Sequence, residues 1–137
     1  MDVAYERSVT VALPYAEAVT RTREALAEQG FGVLSEIDVQ ATLREKRGLE
    51  MEPYVILGAC NPELAHRALD IDRSIGVLLP CNVVVSGQDR GAKVQILDPL
   101  IMAAVMGREE LQPIAQDAAR RLQTVLDTLT SHTEEET

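Results

Sequence analysis

Cys60 and Cys81 are the two cysteines of the chain, set in Gly58-Ala59-Cys60-Asn61-Pro62 and Leu78-Leu79-Pro80-Cys81-Asn82. Each thiol precedes an Asn and sits where an apolar run meets a proline. Two thiols that meet can exchange electrons or bind a soft metal ion; a single cysteine is more simply a small buried hydrophobe. A structural zinc site is disfavoured, because close-spaced Cys-x-x-Cys halves are absent and two cysteines do not supply four ligands. His66, Met51, Met102 or Met106 are the residues that would complete a soft-ion site for Cu(I), although Met at apolar helical spacing reads first as core. The candidate site residues are Cys60, Asn61, Cys81 and His66. Carboxylates are plentiful, but no pair is placed by the sequence alone, Glu36 with Asp38 being the nearest candidate, so no acid–base pair, catalytic residue, bound metal or cofactor is assigned.

The elements that position the thiols follow from their neighbours. Tyr54 to Ala59 is a β-branched and apolar run without alternation, expected to be a strand buried on both faces. It stops at Asn61-Pro62, where Asn61 caps a helix and Pro62 takes its first position. Leu64, Ala65, Ala68 and Leu69 form the apolar stripe of that helix, leaving Glu63, His66, Arg67 and Asp70 outside. Ile75 to Leu79 reads as an extended lead-in without ladder bonds, and a strand starts at about Cys81, after Pro80. If the two strands are neighbours, both sulfurs lie at one end of one sheet. Cys60 would then sit beside the N–H groups of a helix start, which predicts a thiol pKa below the ordinary value and faster alkylation than at Cys81.

Around this centre, Val3 to Leu13 alternates as a half-buried strand with Arg7 the exception. Pro14 opens a helix to about Gln29, stopped by Gly30. Phe31 to Ser35 is a strand. Asp38 to Arg47 fits a strand by alternation and a short helix by its cap and composition, and the helix is preferred. Gly87 to Gly91 has hairpin composition, and Val94 with Ile96 marks the last strand. Asp98-Pro99 repeats the cap-and-proline logic for a helix ending at Gly107, and a long helix runs from about Glu109 to Thr130. Residues 131–137, ending Glu-Glu-Glu-Thr, are expected to be a mobile acidic tail.

Leu-Ser-Glu-Ile-Asp-Val-Gln-Ala-Thr-Leu (34–43), Leu-Gly-Ala-Cys-Asn-Pro-Glu-Leu-Ala (57–65), Gly-Val-Leu-Leu-Pro-Cys-Asn-Val-Val-Val (76–85) and Asp98-Pro99 resemble the domain of unknown function 302 family of small prokaryotic proteins. The resemblance extends to about Leu129, and the family's shared segments fall on Cys60, Asn61, Pro62, Pro80 and Cys81. It implies an α+β fold in which a curved, mainly antiparallel sheet is backed by the first and last helices. It also implies a homodimer, and carries no established activity. The expectation is therefore one α+β domain over 1–130, with about five to six strands in β-α-β…β-α order.

At 137 residues the chain suits one domain, and without Trp and with one Phe its core must be aliphatic. A net charge of -9, with the longest basic cluster, Arg44 to Arg47, itself interrupted by Glu45, disfavours nucleic acid. The longest uncharged run, Val77 to Gln88, is too short to span a membrane. The N-terminal residues do not read as a signal peptide, so a cytoplasmic location with free thiols is expected. Two functions fit: a small-ligand-binding or sensing module with its site near the cysteines, or a thiol- or soft-metal-dependent redox protein using Cys60 and Cys81.

Overall fold

In the computed structural model the described residues are 5–136, with side chains through Ser131. Five strands, β1 (Glu6–Val11), β2 (Gly32–Asp38), β3 (Tyr54–Cys60), β4 (Cys81–Gln88) and β5 (Gly91–Leu97), form one open sheet in the order β1-β5-β4-β3-β2. Every neighbouring pair is antiparallel. The helices are α1 (Tyr15–Glu28), α2 (Val39–Arg47), α3 (Pro62–Ile71), α4 (Pro99–Met106) and α5 (Gln112–Glu136). The fold is α+β.

One sheet face carries the main core. Leu57, Val83 and Ile96 oppose one another across β3, β4 and β5. Together with Val85 and Val94 they pack with Leu26 of α1 and with Leu122, Val125 and Leu126 of α5. The other face is not sealed. Its middle row runs Ile37, Ile56, Val84, Gln95, Ser8, with Ile37 51% exposed. The expectation that β3 is buried on both faces is thus corrected: Val55, Leu57 and Ala59 are buried, whereas Tyr54 and Ile56 are half-buried. An unbroken apolar run marks a strand, but the layer that covers it is set by the rest of the fold.

The helix boundaries rest on local polar groups. Asp38 Oδ1 accepts from the Ala41 N–H at 2.9 Å, and Gly48 ends α2 at φ 63°, which resolves Val39–Arg47 as helix with Asp38 as its cap. β2 is longer than read, continuing to Asp38, with a bulge between Val33 and Ser35 that leaves Leu34 outside the register. The lead-in to β4 is also corrected, because Arg73–Leu78 forms a 3-10 helix. Asp72 caps it by accepting from the Ser74 N–H at 2.9 Å, and a local bond of this kind outweighs the apolar composition that suggested extended chain. A short 3-10 turn at Glu109–Leu111 precedes α5, whose backbone continues past Thr130 to Glu136. The side chains of 132–137 in the expected mobile acidic tail lie outside the described residues, as do Val3 and Ala4 of the expected first strand.

Arg7, the charged exception in β1, has a role at the far edge of the sheet. Its Nε donates to Asp98 Oδ2 at 3.1 Å and its Nη1 to Gln123 Oε1 at 3.1 Å. The other Asp98 oxygen accepts from the Leu100 N–H at 3.0 Å. One carboxylate therefore starts α4 and ties it to β1 and α5.

Candidate functional site

β3 ends at Cys60, and Asn61 turns the chain. The Asn61 Oδ1 accepts from the Leu64 N–H at 3.1 Å, and Pro62 occupies the first helical position. β4 then returns antiparallel, with Ala59 opposite Cys81. That direction sets the end of β3 beside the start of β4, so the two thiols lie at the same end of the sheet.

Above this end, α3, α4 and the beginning of α5 gather a second apolar cluster that includes Leu64, Ala68, Ile75, Cys81, Met102, Ala103 and Ile114. It lines a half-open cavity of about 70 Å³, with Ala59, Cys60 and Cys81 from the sheet, Leu64 and Ala68 from α3, Met102 and Ala103 from α4, Ile114 and Ala118 from α5, and Asn61 also in its wall. Asn61 is 7% exposed. Arg108 joins the end of α3 to the turn before α5: Nη1 donates to Asp72 Oδ2 at 3.1 Å and Nη2 to Glu110 Oε2 at 3.0 Å.

A family model for the domain of unknown function DUF302 matches residues 7–129. The chain belongs to the DUF302 family. This DUF302 domain is also similar to the crystal structure of an uncharacterized conserved protein DUF302 from Bacillus stearothermophilus, at 34% identity and a TM-score of 0.86, covering 93% of this chain and 99% of that one. A comparison with curated proteins finds no relative.

The DUF302 fold brings three of the four candidate residues, Cys60, Asn61 and Cys81, to one cavity. His66 stays apart on the outer face of α3. Its side chain is 76% exposed, with Nε2 3.5 Å from Asp70 Oδ2. Met102 lines the cavity, whereas Met106 packs within the same cluster without lining it. Nothing in the sequence distinguished Met102 from its neighbours, because an apolar helical stripe carries no mark of which residue faces a void.

The thiol electrostatics reverse one expectation. Both cysteines are free. Burial pushes the Cys60 thiol up from its ordinary value rather than down. Cys81 is pushed up to about 11, by burial first and then by Cys60 nearby. The N–H of Leu64 at the start of α3 is already engaged by Asn61, so the residue that caps the helix takes the donor from the thiol beside it. Glu36 and Asp38 serve the surface, Glu36 pairing with Arg23 at 3.2 Å and Asp38 capping α2. Among the described residues no group of three or more His, Cys, Asp or Glu is placed to hold a metal ion, and no helix is long and apolar enough to cross a membrane.

Proposed function

We propose that this protein is a small-ligand-binding or sensing module whose ligand enters the cavity beside Cys60 and Cys81. The observation that carries this reading is the lining itself: almost wholly apolar residues, the two cysteines, and the single amide-bearing residue Asn61. Binding sites of this kind are largely apolar with a few polar groups that orient the ligand. An apolar protein cavity that admits benzene measures about 150 Å³, so one of about 70 Å³ suits a molecule of a few heavy atoms. Xenon is a suitable probe. Methyl resonances of Leu64, Ala68 and Met102 are expected to shift under xenon pressure while those of Leu122 and Val125 in the main core do not. Unchanged cavity methyls, together with a bare mass in native mass spectrometry of the protein as purified, would remove this reading.

We also propose that the protein is a cytoplasmic homodimer. Free thiols at neighbouring positions suit a reducing compartment, and the unsealed row Ile37, Ile56 and Val84 beside edge strand β2 is a surface that a second copy would cover. Light scattering is expected to give twice the 15.0 kDa of one chain; a monomer mass at all micromolar concentrations would exclude the dimer.

A further inference from the structure

We infer that a notch at Gly30, flanked by Asn61 and Arg121, binds the carboxylate of a small organic acid. Gly30 follows α1 at φ 83° and has no side chain to fill the space beside it. The point that a Cβ would occupy there lies 3.0 Å from Asn61 Nδ2 and 3.4 Å from Arg121 Nη1. Two donors from elements distant in sequence, the start of α3 and the middle of α5, thus converge on one unfilled position.

The amide is committed to donate. Asn61 Oδ1 accepts the Leu64 N–H at 3.1 Å, which fixes the other branch of the side chain as its NH2 group. Asn61 is only 7% exposed, yet no protein group among the described residues accepts from Nδ2. Buried donors are normally paired. This one is not sealed in, because no fully enclosed side-chain N or O among the described residues lacks a partner. The NH2 therefore opens on space that an acceptor can reach.

Arg121 is held in place rather than consumed. Its Nε donates to Asp117 Oδ1 at 3.0 Å and its Nη1 to the Gln29 carbonyl at 3.4 Å, which leaves hydrogens on both Nη atoms. Asp117 also accepts from Arg120 at 2.8 Å. Two guanidinium groups share one carboxylate, and one positive charge is left over. That surplus and the two donors match a monoanionic carboxylate, whereas a phosphate dianion brings more charge and more acceptor oxygens than this place serves. The inference does not require that the cavity hold a ligand.

The test is titration of the whole chain with sodium acetate at constant ionic strength, read by proton–nitrogen correlation NMR. The Asn61 side-chain NH2 and the Gly30 amide should shift together and saturate, while acetamide, of the same shape without the charge, should bind several-fold more weakly. Loss of a hydrogen bond to a charged group costs about tenfold in affinity. Asn61→Asp, which keeps the capping oxygen but puts an acceptor in place of the donor, and Arg121→Gln should each weaken acetate binding by that much. Gly30→Ala, whose methyl fills the notch, should abolish it, and Arg120→Gln should weaken it less than Arg121→Gln. Shifts that never saturate in the parent, acetamide binding as well as acetate, or equal losses in Arg120→Gln and Arg121→Gln would overturn the site. Should Gly30→Ala fail to fold because of its positive φ, Asn61→Asp and Arg121→Gln still decide. A protein that takes xenon but not acetate retains the ligand-binding reading and loses this one; the reverse result separates them the other way.

Discussion

Arg7 Nε lies 3.1 Å from Asp98 Oδ2, while Oδ1 of the same carboxylate receives the Leu100 N–H. A charge in the first strand thereby holds the helix that roofs the cavity. Asp98→Ala removes the cap and leaves a partly buried guanidinium without its carboxylate. Destabilisation of about 2 kcal/mol is expected in urea unfolding. Asp98→Asn, which retains a capping oxygen, should lose less. Equal losses for the two variants would show that the cap contributes nothing.

Asn61→Ala tests the other cap. Its Oδ1 serves the Leu64 N–H, and the residue is buried, so about 1 kcal/mol of stability should be lost. The thiols supply a second readout: with Leu64 N–H released, Cys60 should alkylate faster than in the parent. A variant as stable as the parent would mean that α3 is held by packing alone.

Gly58 has no room for a side chain. A Cβ there would collide with Ser35 Oγ and approach Pro80 Cγ to 2.9 Å. Gly58→Ala should cost about 1–3 kcal/mol, and Ser35→Ala in the same chain should recover part of it, since adjacent sites couple. Strictly additive effects in a double-mutant cycle would argue that the two residues do not meet.

Alkaline pH should weaken the fold. Cys81 has an ordinary value of 9.0 and a folded value of about 11, so between these the native state binds the proton that the unfolded state has lost. Stability is then full below about pH 9 and falls as pH rises toward 11, by on the order of 2–3 kcal/mol for Cys81. Cys60 and Tyr15, both pushed up with burial the largest cause, act in the same direction. Urea midpoints between pH 8 and pH 11 measure the slope, and Cys81→Ala should flatten most of it; an unchanged slope in that variant would assign the effect elsewhere. At neutral pH iodoacetamide should react slowly with both thiols, Cys60 first, because it is the more exposed and Cys81 is the more strongly opposed to ionisation.

What the sequence by itself determined is local. Asn61, Asp38 and Asp98 were legible as caps, and Gly30, Gly48 and Gly107 as left-handed stops, because a cap joins a side chain to a backbone group two or three residues away. Composition misled at Ile75 to Leu79, where an apolar run suggests extended chain but the cap at Asp72 starts a 3-10 helix. Only the tertiary structure decided that β3 and β4 run antiparallel, that Met102 shares a cavity wall with the two cysteines, and that Arg7 finds its partner 91 residues away. It also decided that the Cys60 thiol is raised. A pKa depends on every group around the sulfur, and those groups are brought there by strand pairing and helix packing, which no short stretch of the chain records.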